Sequence, residues 1–453
     1  MAKKPASQSQ RASAVAKLLS PVQEFIQTES ASGVVLIAAA LIAFAWANSP
    51  FADHYFAILG VELGVGLGDW GLQKPLILWV NDLLMAVFFF LVGLEIKREL
   101  MVGELAGWQK ASLPVAGALG GMVVPALIYV AMNYGEPSVR GWGVPMATDI
   151  AFALGVLALL GDRVPLGLKV FLLALAIVDD LGAVLVIALF YTENLSTGSL
   201  LLSFLVWAGA LAYGRAGGGK PLAFVLLGLV MWYFMLKSGV HATIAGVLMA
   251  LAVPLRHGLS AQELQQEMRP LTTRAGDFEQ IEVAIEHVEE VLERARSPLH
   301  KMEHDLAPYA AFLIMPIFAF FNAGLRLGGN EGGLISVVSV GAFLGLLLGK
   351  PIGIAGFVAI AVKTGLTRLP PGTNWLGLTG VGLLAGIGFT MSLFIANLAF
   401  GGADLAGDPV ALAQAKIGVL CASVVAAVLG LAFLSRALPR PLAGRAGAPR
   451  IPG

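Results

Sequence analysis

Long apolar runs dominate this sequence and limit what it can fold into. Of its 453 residues, 57% are hydrophobic and 13% are charged, a balance typical of chains that cross a lipid bilayer many times. Windows of about 19 residues predict an all-α polytopic membrane protein with twelve transmembrane helices. The predicted spans lie near 32–49, 75–96, 111–133, 142–161, 166–192, 199–214, 221–236, 239–254, 307–325, 334–362, 374–400 and 411–434.

The lysine and arginine residues between the runs predict the orientation of the chain. If the N-terminus is cytoplasmic, 23 of the 29 lie on the cytoplasmic side, and only Lys74, Arg140, Lys237 and Arg326 lie in loops on the other. Cytoplasmic loops carry an excess of Lys and Arg, so this asymmetry supports an even number of spans and two cytoplasmic termini. The formal net charge is zero and gives no sign of a nucleic-acid partner.

Two segments outside the spans have patterns of their own. Residues 58–73 are Gly-rich and alternating, which predicts a small β-hairpin on the outer face. An apolar stripe at helical spacing over 277–296 predicts an amphipathic helix that either covers the bundle or a second subunit, or serves as a solvated spacer. The predicted order is a cytoplasmic tail with an interfacial helix at 1–31, spans 1–8 with the hairpin at 32–254, a cytoplasmic loop at 255–306, spans 9–12 at 307–434 and a tail at 435–453.

Two adjacent aspartates, Asp179 and Asp180, lie in the middle of the run 166–192. One Asp at the centre of a membrane helix costs roughly 2.5–3.5 kcal/mol, so a pair predicts a functional site. Carboxylate oxygens without Cys or His favour a hard cation such as Na+ or Li+. Because the same carboxylates are neutralised either by protons or by a cation, binding of one should exclude the other, which is the logic of antiport.

Further polar residues in the apolar runs predict interrupted helices. Thr148 and Asp149 follow Pro145, which removes a backbone donor, although a simple kink with Asp149 as an N-cap would also explain them. Gly386 and Gly388 stand two apart inside a span and predict a second interruption, for which close helix packing is the alternative.

Lys350 is a lone cation within an apolar run of nearly thirty residues. Three explanations stay open at this point. It pairs with a carboxylate such as Asp179, it offsets the negative C-terminal ends of broken helices, or its long side chain reaches the membrane surface.

Five motifs cover nearly the whole chain in a fixed order. They are GLEIKRE at 93–99, ATDIAFALG at 147–155, IVDDLGA at 177–183, GKP at 349–351 and GFTMS at 388–392. Together they resemble the NhaA family of bacterial sodium/proton antiporters. The resemblance implies that spans 3–5 and 10–12 form inverted-topology repeats, and that spans 4 and 11 are interrupted helices crossing at mid-membrane.

The resemblance also implies roles for single residues. Asp179 and Asp180 would carry the cation (Na+) and the protons, with Thr148 as a further ligand. Asp149 and Lys350 would compensate the charges of the broken helix ends. Of the two adjacent carboxylates, we expect Asp180 to be the essential cation ligand. We expect Asp179 to bind and release protons, and to gain and lose its pairing with Lys350, as the transporter changes state.

At the level of the whole protein, the resemblance implies electrogenic exchange of Na+ or Li+ for a larger number of H+. The exchange would take place in a bacterial inner membrane, through a homodimer formed by the outer hairpin, with no cofactor. At Ala307 the chain departs from the family pattern, in which a second histidine stands three residues after the position of His304. Activation at alkaline pH would come from a cytoplasmic group of charged residues, namely Glu95, Lys97, Arg98, Glu99, Glu303 and His304.

Two other function classes compete with antiport. A sodium-coupled symporter of an organic anion on a related fold would need a roomy polar cavity, for which the spans offer few candidate residues. An intramembrane aspartyl protease would use the GxGD sequence ending at Asp69, but that residue lies in a Gly-rich turn without a second Asp in a facing helix. We therefore expect a secondary transporter and not an enzyme.

Overall fold

The computed structural model describes most of the chain. The described residues are 29–67, 70–192, 195–255, 291, 296–327, 335–370, 373–402 and 407–438. The predicted interfacial helix, the GxGD aspartate, nearly all of the predicted amphipathic helix and the C-terminal tail beyond residue 438 lie outside these residues.

Helices account for most of the described residues, and one two-stranded sheet accompanies them. In chain order, the longer elements are α1 (Glu29–Ala47), α2 (Ala52–Leu59), β1 (Glu62–Leu67), β2 (Trp70–Pro75), α3 (Leu76–Met101), α4 (Trp108–Met132), a 3₁₀ helix (Pro137–Met146), α5 (Ile150–Ala158), α6 (Leu166–Phe190), α7 (Thr197–Arg215), α8 (Pro221–Lys237), α9 (Thr243–Ala252), α10 (Pro298–Ala323), α11 (Val337–Lys363), α12 (Trp375–Ala385), α13 (Phe389–Phe400) and α14 (Pro409–Ala437).

Seven helices in the described part of the chain, α3, α4, α6, α7, α10, α11 and α14, are long and apolar enough to cross a membrane alone. Three bent pairs accompany them: α1 and α2 meet at 117°, the 3₁₀ helix and α5 at 42°, and α12 and α13 at 47°. α9 has 10 residues, so it is about 15 Å long, whereas the hydrocarbon core of a bilayer is about 30 Å thick. The count of twelve spans therefore stays a prediction. The inverted repeats stay a prediction as well.

The hairpin prediction is correct in kind but starts too early in the chain. β1 pairs antiparallel with β2, so that Val65 faces Leu72. Residues 58 and 59 instead end the short helix α2, which the sequence reading missed. Tyr55 anchors α2, because its ring is fully buried and its hydroxyl donates to the carbonyl of Phe320 at 2.6 Å.

The helix predicted at 307–325 begins earlier, at Pro298. The Ser297 hydroxyl accepts a hydrogen bond from the backbone N–H of His300 at 3.2 Å. Pro298 has no backbone N–H, so it leaves no unpaired donor at the first helical position. A cap and a proline thus start α10 ahead of the apolar run that predicted it. The turn predicted to divide α8 from α9 lies where expected, since α8 ends at Lys237 and Gly239 has φ of 81°.

The chain divides into two compact units that interleave along the sequence. The first comprises Met1–Phe56, Ala111–Asp179 and Ala319–Gly453, and the second comprises Ala57–Lys110 and Asp180–Phe318. In the first unit α14 packs against α11, α12 and α13, and α1 packs against α5. α4 and α11 approach so closely that a Cβ on Gly353 would lie 2.0 Å from the carbonyl oxygen of Gly120. In the second unit α3 packs against α9, and α7 against α8.

Candidate ion-binding site

The first helix interruption lies between the 3₁₀ helix and α5, in the first unit. Pro145 occupies the last turn of the 3₁₀ helix, after which Ala147 and Asp149 have extended backbone conformations. α5 then starts because the Asp149 carboxylate accepts a hydrogen bond from the backbone N–H of Phe152 at 3.0 Å, as an N-cap does. Thr148 is thereby held in non-helical backbone, fully buried.

The second interruption lies between α12 and α13 and contains Gly386 and Gly388. Both have negative φ, −71° and −91°, so the backbone conformation does not require glycine. Space requires glycine at Gly386, where a Cβ would lie 2.6 Å from the carbonyl oxygen of Leu346. A Cβ on Gly388 would lie 2.2 Å from Ser392 Oγ, so that side chain would have to move. The two explanations that the sequence left open therefore both apply, since the interruption is also a place of close packing.

Hydrogen bonds join the two interruptions directly. The Thr148 hydroxyl donates to the carbonyl of Ala385 at 2.8 Å, and the backbone N–H of Asp149 donates to the carbonyl of Ile387 at 2.7 Å. In the opposite direction, the backbone N–H of Thr390 donates to Asp149 Oδ2 at 3.1 Å, and the Thr390 hydroxyl donates to the same oxygen. Each non-helical segment thus satisfies polar groups of the other, which a low-dielectric interior demands.

A single carboxylate, that of Asp149, serves the N-termini of two helices. Oδ1 accepts from the first turn of α5 at Phe152, and Oδ2 accepts from the first turn of α13 at Thr390. A helix N-terminus carries a partial positive charge, so a buried carboxylate between two of them is electrostatically favoured. The charge-compensating role that the resemblance implies for Asp149 stays a prediction.

Lys350 and Asp179 form an ion pair without any exposure to solvent. Lys350 Nζ lies 2.6 Å from Asp179 Oδ2, and both side chains are 0% exposed. Lys350 directly follows a π-helical turn, Gly345–Gly349, a local widening often found at functional sites. The hydroxyl and backbone of Thr148 also interact with the Asp179 carboxylate. Of the three explanations for Lys350, pairing with Asp179 is therefore the one observed in the structure.

Asp180 is the next residue of α6 and is 1% exposed. Adjacent helical residues point about 100° apart, so its carboxylate faces different neighbours from that of Asp179. Among the described residues, no three His, Cys, Asp or Glu side chains gather in a metal-binding arrangement.

Four of the residues predicted to sense pH lie together in the second unit, at the end of α3 and the start of α10. Arg98 donates to Glu99 Oε1 at 2.9 Å and to Glu303 Oε1 at 2.6 Å. Glu95 lies within electrostatic range of all three. We refer to Glu95, Arg98, Glu99 and Glu303 as the Arg98 cluster.

Lys97 and His304, which were predicted in the same group, make other contacts. Lys97 Nζ donates to the carbonyls of Leu251, at 2.7 Å, and Val253, at the end of α9. A cation at a helix C-terminus stabilises that end, so Lys97 has a structural partner. The His304 side chain is 76% exposed, and its Nδ1 lies 3.7 Å from Asp305 Oδ1, although it remains in electrostatic range of Glu303.

Thr390 and Ser392 are residues of the site that the sequence reading did not single out. The Thr390 hydroxyl binds the Asp149 carboxylate, and the Ser392 hydroxyl donates to the carbonyl of Ala147 at 3.4 Å. Both belong to the GFTMS motif, so the signal was present. Ser and Thr are common in membrane helices, so their presence in the motif does not by itself predict a role in the site.

Comparison with known proteins adds to this geometry. Residues 23–434 match the family model described as Na+/H+ antiporter 1. The chain belongs to this family. A Na+/H+ antiporter NhaA from Oleidesulfovibrio alaskensis is 50% identical over 435 residues, which are 94% of this chain and 95% of that protein. The Na+/H+ antiporter NhaA 2 of Erythrobacter litoralis is 45% identical over 424 residues, covering 93% and 95%. An NhaA from a Shewanella species is 47% identical over 422 residues, covering 92% and 98%.

Among solved structures, the sodium proton antiporter MjNhaP1 from Methanocaldococcus jannaschii matches with a TM-score of 0.50 at 13% identity, covering 94% of this chain and 95% of that one. At that identity the likeness concerns the fold alone. The resemblance to NhaA that the five motifs indicated is confirmed. Members of the Na+/H+ antiporter 1 family are transporters and not enzymes, and with its several apolar helices this member is a multi-pass protein of the inner membrane.

Proposed function

We propose that this protein is an electrogenic antiporter that expels Na+ or Li+ from the cytoplasm in exchange for entering H+. The observation that carries the proposal is the ion pair of Lys350 and Asp179, at 2.6 Å and without solvent exposure. A buried ammonium group is strongly disfavoured without a counter-charge. A cation that takes over the Asp179 carboxylate therefore removes the reason for Lys350 to stay protonated.

The exchange follows from this competition. Without Na+, Lys350 holds a proton and neutralises Asp179. When Na+ enters, Asp180 acts as the essential cation ligand, Asp179 and the Thr148 hydroxyl complete the oxygen ligands, and Lys350 releases its proton. If Asp180 also exchanges a proton, more H+ than Na+ moves in each cycle, which makes transport electrogenic.

Alternating access would come from the two interrupted helices, whose non-helical segments are joined at Thr148, Asp149 and Thr390. The bonds that hold these segments link one interruption to the other, so displacement of one displaces its partner. The Asp149 carboxylate would keep the N-termini of α5 and α13 neutralised throughout the cycle.

Regulation and assembly complete the proposal. Activation at alkaline pH would arise in the Arg98 cluster, where two carboxylates share one guanidinium group. Lys97 and His304 would act at its border. The hairpin of β1 and β2 would form a homodimer contact, and both termini would lie in the cytoplasm.

The test is Na+-dependent proton movement in everted membrane vesicles, measured with a fluorescent pH indicator. We expect Asp179→Asn and Asp180→Asn to abolish the Na+-dependent signal. The matched control is Asp408→Asn, at an exposed cap of α14 where Asn caps as well as Asp. Normal exchange by both site variants would contradict the proposal, and uptake of an organic solute together with Na+ would support symport in its place.

A further inference from the structure

Helix α13 begins without a cap of its own. Helices usually carry Ser, Thr, Asp or Asn at the residue before their first turn, and here that residue is Gly388, which has no side chain. A Cβ at this position would lie 2.2 Å from Ser392 Oγ and 2.9 Å from Leu346 Cδ2, so any side chain here would displace its neighbours. The buried N–H groups of the first turn must therefore be satisfied from elsewhere.

Two other elements supply the missing acceptors. Asp149 accepts from the backbone N–H of Thr390 at 3.1 Å. Ser423, on α14, accepts from the backbone N–H of Phe389 at 3.0 Å. The Ser423 hydroxyl donates its own hydrogen to the carbonyl of Val419 at 2.8 Å, which fixes the oxygen as an acceptor, and the side chain is 2% exposed.

We propose that Ser423 is a positioning residue of the ion-binding site, because it caps α13 from a neighbouring helix. Its hydroxyl fixes where α13 starts, and so fixes the interruption before it. The carbonyls of Ala385 and Ile387 in that region hold Thr148 and Asp149. The inference rests on the proposed function, because it concerns the geometry of the same site.

Loss of the hydroxyl would act on the site through Asp149. Without Ser423 the N–H of Phe389 is left buried and unpaired, and Asp149 is the acceptor already present at this helix end. A shift of Asp149 toward Phe389 moves Thr148, its neighbour in the chain. We therefore expect the apparent affinity for Na+ to fall while the maximal rate is kept.

The experiment compares Na+/H+ exchange by Ser423→Ala, Ser423→Thr and Ser435→Ala in proteoliposomes. For Ser423→Ala we expect the KM for Na+ to rise about threefold to tenfold, as for the loss of one hydrogen bond. Ser423→Thr should restore the wild-type KM, because it keeps the hydroxyl and its added methyl group can enter a cavity of about 430 Å³ that Ser423 lines with Phe389 and Leu420.

Ser435→Ala is the matched control. Ser435 lies on the same helix, and its hydroxyl donates only to a carbonyl of that helix, Ala432, at 2.8 Å. It should leave the KM unchanged. An unchanged KM in Ser423→Ala, or an equal rise in Ser435→Ala and Ser423→Ala, would overturn the proposal.

A second readout does not depend on transport. Hydrogen exchange of the purified protein, followed by mass spectrometry, should be faster at residues 386–392 in Ser423→Ala than in wild type, and unchanged there in Ser435→Ala. If Ser423→Ala does not fold, Ser423→Cys takes its place, since sulfur is a weak acceptor of similar size. Unaltered hydrogen exchange at residues 386–392 in Ser423→Ala would overturn the proposal that Ser423 caps α13. Absence of Na+/H+ exchange in the wild type would instead reject the proposed function.

Discussion

Two ion pairs in the first unit have the same length and opposite surroundings. Lys350 Nζ lies 2.6 Å from Asp179 Oδ2 with both side chains 0% exposed, and Arg326 Nη2 lies 2.6 Å from Asp53 Oδ1 with side chains 44% and 92% exposed. Since the distance is equal, the separation of the charges cannot explain a difference in what the pairs contribute, and exposure to solvent is the main contrast. Water screens the exposed pair, whereas the buried charges depend on each other. The comparison teaches that a short ion pair by itself says little about stability or function.

The largest effect is expected for Lys350→Ala. It leaves Asp179 buried without its counter-charge, so the free energy of unfolding should fall by about 3–5 kcal/mol and Na+-dependent proton movement should be lost. Denaturation of the detergent-purified protein and vesicle assays measure the two effects. Lys363→Ala, an exposed change on the same helix, is the control. Wild-type stability in Lys350→Ala would mean that the pair is not a coupled unit.

Replacing both charges together sharpens the comparison. In the double variant Lys350→Met, Asp179→Leu no buried charge is left unpaired, so most of the stability lost in Lys350→Ala should return, within about 2 kcal/mol of the wild type. Transport should remain absent, because the carboxylate that exchanges its partners is gone. A double variant that is as unstable as Lys350→Ala would show that the pair contributes to stability beyond mutual neutralisation.

A smaller effect is expected at Arg98, whose side chain is 31% exposed and contacts two carboxylates that are each 11% exposed. Arg98→Ala should lower the free energy of unfolding by roughly 1 kcal/mol at low ionic strength. The loss should shrink near 1 M salt, where the screening length is about 3 Å. Denaturation at two salt concentrations measures it, with the exposed Lys110→Ala as control. If the loss of stability in Arg98→Ala does not depend on salt, the Arg98 cluster behaves like the buried pair of Lys350 and Asp179 and not like an exposed one.

The sequence predicted those parts of the site that are unusual in an apolar run. Asp179 and Lys350 stood out because a charge there is costly, and Pro145 and the two glycines marked the interruptions. Their pairing could not be read from the sequence, because the two charged residues lie 171 positions apart. Thr390 and Ser423 were missed for a related reason. A hydroxyl in a membrane helix is ordinary, and its role as a cap for another element depends on packing.

Secondary structure shows the same limit. Alternation predicted the hairpin, but residues 58 and 59 are apolar and fit the end of α2 equally well, so the boundary was misplaced. The π-helical turn before Lys350 left no sign in the apolar pattern, because a single widened turn keeps the same residue types. Periodicity therefore located the membrane helices, while their ends and irregular turns depended on contacts across the fold.

The smallest effect is expected for Asp53→Asn, the exposed counterpart of the buried pair. Arg326 also lies over the ring of Phe56, 5.0 Å from its centroid, so the guanidinium keeps a contact when the carboxylate charge is removed. The free energy of unfolding should stay within about 0.5 kcal/mol of the wild type, and Na+-dependent proton movement should be unchanged. The same denaturation and vesicle assays test this. A loss as large as that of Lys350→Ala would mean that pair length, and not burial, decides what an ion pair contributes in this protein.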